Sequence, residues 1–155
     1  MKTLVVYFSR TGHTKELANL IAKFTNADAE PIQEAKKRKM GPIAYLSSGF
    51  AAARRKKSGI LESKRAPKDY DLIFIGTPIW AGNMAPAVRA YLSESSISGK
   101  KVGLFCSCGG SEGKAFKEMR ELLPGCAIAG ELAVREMDLA TAESAVKEWL
   151  KSIKA

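Results

Sequence analysis

One histidine and three cysteines leave this chain little from which to build a metal centre. A zinc site needs three or four His, Cys or carboxylate ligands at set spacings. Cys106-Ser107-Cys108 is not the CxxC pair such sites use, and Cys126 stands apart. No metal is expected. The cysteine count is odd, and the N-terminus reads as a strand instead of a charged segment leading into a signal-type apolar core. Reduced thiols and a cytoplasmic setting follow as expectations. No apolar run approaches the ~20 residues of a membrane helix. The phosphate-binding signatures GxxxxGK[ST] and GxGxxG are missing too. With no internal repeat, low-complexity tract or interdomain linker, residues 1–155 are expected to form one domain large enough to bury its own core.

What is present begins with residues 4–14, LVVYFSRTGHT. The apolar run Leu4-Val5-Val6-Tyr7-Phe8 stops at Ser9. Arg10, Thr11, Gly12, His13 and Thr14 follow, and then Leu17, Leu20, Ile21 and Phe24 recur at helical spacing. A buried strand thus enters a hydroxyl-rich turn that opens a helix (about 13–25). The first N–H groups of a helix lack partners within it and carry the positive end of its dipole, so such a turn suits a phosphate. Ser9, Thr11 and Thr14 add hydroxyl donors, and Gly12 lets backbone approach the anion. The same hydroxyls could instead only cap the helix. Three of them within six residues exceed what one cap needs, which favours the anion site.

Further along, Ala29–Gln33 reads as a weak strand and residues 43–56 as a second helix ended by Ser58-Gly59. Asp71–Gly76 (DLIFIG) and Lys101–Cys106 (KVGLFC) are continuous apolar runs, as in strands buried on both faces. TPIWAGNMAP and SCGGSEG follow them as loops, leading into helices marked by Ala87, Val88, Tyr91 and Leu92 and by Phe116, Met119, Leu122 and Leu123. A last strand is placed within 127–137 and a last helix at about 140–153. Strands alternating with helices imply a doubly wound α/β fold around a parallel sheet. Ligands of such sheets bind beyond the carboxyl ends of the strands, where strand order reverses. The loops 9–14, 77–84 and 107–113 all leave those ends.

In the second loop, Thr77, Pro78, Ile79, Trp80, Ala81 and Gly82 place a tryptophan at the tip of a connection. It either folds back to cap the sheet or offers a stacking plate to a planar ligand, and the cost of leaving a large apolar ring wet favours the stacking plate. Gly82 permits positive φ, so the adjacent peptide can flip. In the third loop, the backbone of Ser107, Cys108, Gly109 and Gly110 can reach the polar edge of a heterocycle, while Ser111 can serve as the cap of the next helix.

A phosphate turn, an aromatic plate and a glycine-rich edge describe a flat ring on a phosphorylated tail. The chain resembles short-chain, flavodoxin-like FMN-binding proteins, for which a five-stranded parallel sheet of order 2-1-3-4-5 holds FMN at the switch point. SRTGHT resembles that family's phosphate loop, TPIWAGNM its loop against one flavin face, and SCGGSEG its second ring loop. The resemblance implies that Ser9, Thr11, Gly12, His13 and Thr14 bind the phosphate, with Arg10 contributing its N–H and charge. His13 stands where the family often has Asn. Pro78, Ile79, Trp80 and Ala81 would line the ring, and Ser107, Cys108, Gly109 and Gly110 its polar edge. Cys108 itself reads most simply as a small packing residue.

Charge departs from the acidic pattern of many flavodoxins. Between Lys36 and Lys68 lie eleven Lys/Arg and one acid, Glu62, while the rest of the chain carries fourteen Lys/Arg against fifteen Asp/Glu. Lys36, Lys37, Arg38 and Lys39 follow the second strand, at the edge expected to hold the flavin, and would favour an acidic redox partner or an anionic substrate. The resemblance implies an electron-transfer protein between redox partners. The alternative is an NAD(P)H-dependent quinone or flavin reductase on the same fold. Apart from Glu112 and His13 the loops hold no evident general acid or base, which suits a carrier, and no catalytic residue is assigned. A basic nucleic-acid-binding module is the weakest reading, because the basic clusters are interleaved only with Tyr45 and Phe50, both suited to a core.

Overall fold

The computed structural model describes residues 1–35 and 59–154. In chain order these form β1 (Thr3–Tyr7), α1 (His13–Thr25), β2 (Asp28–Pro31), a 3-10 turn (Pro67–Asp69), β3 (Leu72–Trp80), β4 (Asn83–Met84), α2 (Pro86–Glu94), β5 (Lys101–Cys108), α3 (Ala115–Glu121), β6 (Ala127–Arg135), a second 3-10 turn (Glu136–Thr141) and α4 (Ala142–Lys154). Five strands are parallel and run β2-β1-β3-β5-β6. This is the expected order 2-1-3-4-5 once β4, which pairs antiparallel with the end of β3, is set aside.

Alternation along the strands decides which layer each side chain serves. Leu4 and Val6 of β1, Ile73 and Ile75 of β3, and Val102, Leu104 and Cys106 of β5 meet Ala87, Val88 and Tyr91 of α2 and Phe116 and Met119 of α3. The opposite face carries Val5, Tyr7, Leu72, Phe74 and Phe105 against Leu17 and Ile21 of α1 and Val146, Trp149 and Leu150 of α4. Both faces of the central strands are covered, which is why those runs read as unbroken apolar stretches.

On the α1/α4 face two rings fit because their neighbours have no side chain. Phe74 pairs with Gly103 across β3 and β5, and Gly76 pairs with Phe105. A Cβ on Gly76 would lie 2.2 Å from the Phe105 ring, and one on Gly103 2.6 Å from the Phe74 ring. Trp149 completes the layer, edge-on to Phe74 at 5.4 Å and seated over Gly130.

The elements differ from the sequence expectation at their ends. DLIFIG continues as strand through TPIW to Trp80, and KVGLFC continues to Cys108. Pro78 is tolerated because it pairs with Ser107 at the last register position of the β3–β5 ladder, where an N–H is no longer needed. β6 stops at Arg135, where the chain tightens into the 3-10 turn before α4. The expected helix at 43–56, with Lys36–Lys39 before it, lies outside the described residues. Among the described residues no helix is long and apolar enough to cross a membrane.

Overpacking gives the test of this layer. Gly76→Ala or Gly103→Ala is expected to lower the unfolding free energy by about 1–3 kcal/mol, read as a drop in urea midpoint at unchanged m. An unchanged midpoint would show that the rings have room the packing denies them.

Candidate functional site

The turn after β1 is shaped by its own side chains. Gly12 takes φ +105°, a conformation that favours glycine, and Ser9 Oγ accepts the Gly12 N–H at 3.1 Å. Because Ser9 accepts in that bond, its own proton stays available to a ligand. No side chain caps α1. Its first intrahelical bond, Glu16 N–H to Gly12 O at 3.0 Å, leaves the N–H groups of His13, Thr14 and Lys15 ahead of it. Hydroxyls that merely cap the helix are therefore not what the structure shows. Thr14 is buried and its hydroxyl lies 2.7 Å from that of Ser107. Thr11 is exposed, with its oxygen 3.5 Å from His13 Nδ1.

The second loop is a hairpin turn closed by its own backbone. Ala81 (φ +50°) and Gly82 (φ +74°) are the central residues between the paired Trp80 and Asn83, and Asn83 donates to Ala81 O at 2.9 Å. Two successive left-handed residues match the twist of a two-residue hairpin, and a non-glycine at Ala81 carries the strain. Thr77 is fully buried; its hydroxyl donates to Pro78 O at 2.8 Å and accepts the Ala85 N–H at 3.0 Å. Its side chain therefore secures the hairpin, and what Thr77 can show a ligand is backbone. Trp80 is 6% exposed, edge-on to Phe8 at 5.7 Å, with the Arg10 guanidinium 5.6 Å from its ring. The favoured stacking plate is therefore not what the structure shows: the ring folds back against Phe8 and is buried. Ile79 is half-buried and Ala81 exposed.

In the third loop Gly109 and Gly110 are exposed, whereas Ser107 and Cys108 are buried. Cys108 donates its S–H toward Val134 O at 3.8 Å, in keeping with a packing residue. Ser111 does not cap the helix. α3 begins at Ala115 with no side-chain cap, and Ser111 Oγ instead accepts the Gly113 N–H at 3.4 Å. Gly113 (φ +55°) lies against the hairpin, where a Cβ would come 2.4 Å from Gly82 O, and Lys114 N–H donates to that oxygen at 2.8 Å. α3 is held to α2 by the buried pair Arg89–Glu118 at 2.6 Å.

These contacts join the three loops at one sheet edge: first to third through Thr14 and Ser107, first to second through Phe8, Arg10 and Trp80, second to third through Gly82 and Lys114. One neighbour escaped the sequence reading. Glu136 Oε1 lies 3.4 Å from His13 Nδ1. No local signal announces it, since it sits past β6 and reaches the turn only through the fold. A cavity of about 530 Å³ lies apart, beside β2, lined by residues that include Glu30, Lys64 and Tyr91 and none of the three loops.

A parallel sheet whose reversal point carries an uncapped, hydroxyl-lined helix start agrees with what sequence comparison finds. The family profile described as Flavodoxin matches residues 2–153. The chain belongs to the flavodoxin family. It is 29% identical over 120 residues to NAD(P)H dehydrogenase (quinone) 3 of Rhizobium meliloti (strain 1021), a match covering 72% of this chain and 55% of that protein. A candidate flavoprotein from Bacteroides uniformis ATCC 8492 superimposes with a TM-score of 0.79 at 29% identity, covering 97% of each chain. A flavoprotein from Lactobacillus acidophilus NCFM, solved in complex with FMN, shares the fold at a TM-score of 0.75 and 21% identity over 96% of this chain and 98% of its own.

FMN is the cofactor this family implies, and the donor set fits it. The turn offers helix N–H groups and hydroxyl protons to a dianion and places no carboxylate among residues 9–15.

Burial pushes the Cys106 and Cys108 thiols up, well away from the thiolate that reacts. Cys126, half-buried, is the accessible one. At pH 7.5 a disulfide reagent is expected to titrate one thiol rapidly in the folded protein and all three in urea. Rapid reaction of Cys108 in the folded state would contradict the packing role.

Proposed function

We propose that the chain binds FMN across the three loops and serves as an electron-transfer protein between redox partners. The observation that carries this is the start of α1: no side chain caps it, and two buried hydroxyls and the Ser9 oxygen gather there. Ser9, Thr11 and Thr14, with the turn at Gly12, the N–H groups of His13, Thr14 and Lys15 and the Arg10 and His13 side chains, would hold the phosphate. Pro78, Ile79, Trp80, Ala81 and Gly82 would line one side of the ring, together with the Thr77 backbone. Ser107, Cys108, Gly109 and Gly110 would lie along its polar edge. When bound, FMN supplies reversible one- and two-electron chemistry. The chain's contribution is to hold it, to bury part of it and to set the local potential through Arg10 and the backbone.

The partner is proposed to be an acidic redox protein. β2 ends at Pro31 opposite Tyr7, and Ile32 N–H still bonds Tyr7 O at 2.6 Å, so the chain leaves β2 at the loop edge before Lys36, Lys37, Arg38 and Lys39 follow in sequence. Such a cluster steers association in a salt-dependent way.

A second reading, a quinone or flavin reductase, is favoured by one feature. The third loop has no aromatic residue, and its exposed glycines Gly109 and Gly110 leave room beside the ring for a second flat molecule. A named quinone dehydrogenase among the relatives points the same way, although the match spans little more than half of that protein.

Stopped-flow reduction of the FMN-loaded protein separates them. A carrier is expected to take electrons slowly from NADH or NADPH and quickly from a redox protein, with a rate that falls as salt rises. Rapid, multiple turnover of NAD(P)H with a quinone and no protein partner would overturn the carrier.

A further inference from the structure

Proton accounting at one buried contact assigns a role that neither loop shows alone. Thr14 and Ser107 are each 1% exposed, and their hydroxyl oxygens lie 2.7 Å apart. Two hydroxyls bring two protons, and the space between the oxygens holds one. The second has no acceptor among the described residues: this contact is the hydrogen bond that either hydroxyl makes. A buried hydroxyl proton without an acceptor is costly, and here it marks a place where a ligand atom completes the pair.

Two arrangements exist. Either Thr14 donates to Ser107 and Ser107 keeps the spare proton, or the reverse holds. Thr14 is the second residue of α1, beside the N–H groups that no side chain caps, whereas Ser107 lies below it at the end of β5. An anion at the helix start accepts from Thr14, and this selects the order Ser107 to Thr14 to anion. Each donor in such a chain is strengthened by the one behind it.

We infer that Ser107 is a positioning residue for the phosphate, acting through Thr14, and is not only part of the ring edge. Once its proton points at Thr14, Ser107 Oγ can only accept from elsewhere, so phosphate binding also sets the polarity of the third loop. The inference rests on the FMN reading of the site.

The test compares FMN with riboflavin, which carries the same ring and no phosphate, by flavin-fluorescence titration of the apoprotein. Ser107→Ala, which keeps the backbone that faces the ring edge, is expected to weaken FMN about three- to tenfold more than it weakens riboflavin. Ser107→Cys, close in shape but a weak donor, is expected to behave like Ser107→Ala, and it guards against loss of folding in the alanine variant. In a Thr14→Val background, adding Ser107→Ala is expected to change FMN affinity by less than about twofold, because the relay is already cut. Equal losses for FMN and riboflavin, or full additivity with Thr14→Val, would overturn the relay and leave Ser107 a ring-edge or packing residue. A wild-type protein that binds FMN no better than riboflavin would overturn the phosphate reading itself, and the relay with it.

Discussion

The site depends on a helix that starts without a cap. Backbone N–H groups at the head of α1 need an acceptor, and the chain places Ser9 so that it shapes the turn by accepting from Gly12 instead of satisfying the helix. Three nearby features fit an external anion completing that end: positive φ at Gly12, a spare proton on Ser9, and another in the Thr14–Ser107 pair. The sheet makes the arrangement possible. β1 is flanked by β2 and β3, so the chain departs to opposite sides of it and opens a crevice at its carboxyl end.

Around that anchor the loops are tied to one another more than to solvent. The hairpin at Ala81-Gly82 touches Gly113 so closely that a Cβ on Gly113 would force a shift, and Lys114 bonds across the contact. The Arg89–Glu118 pair fixes α3 to α2, so the third loop ends on a helix with little freedom. Trp80 is buried, with the edge of Phe8 and the guanidinium of Arg10 among its contacts.

Much of this was legible in the residues themselves. Continuous apolar runs such as LIFI and VGLF require cover on both faces, and with SRTGHT at the end of LVVYF they specify a doubly wound sheet and the edge that binds. What was not legible depended on distance in sequence. TPIW looked like loop because Pro78 interrupts the run and Ala81-Gly82-Asn83 follows it, and only the pairings with Cys106 and Ser107 and with Asn83 and Met84 show that it is strand. Ser111 looked like a cap because caps are read locally, but the contact of Gly113 with the hairpin delays α3 by several residues. The meetings of Thr14 with Ser107 and of His13 with Glu136 join residues more than ninety positions apart, and no local pattern encodes them. The burial of Trp80 beneath Arg10 likewise follows from tertiary packing.

The measurement that bears most directly on the account is the visible absorption spectrum of the purified protein, taken before and after adding FMN and removing the excess. Flavin bands retained near one per chain are the predicted result. A colourless protein that also fails to quench the fluorescence of added FMN would contradict it, and the uncapped start of α1 would then belong to a different anion.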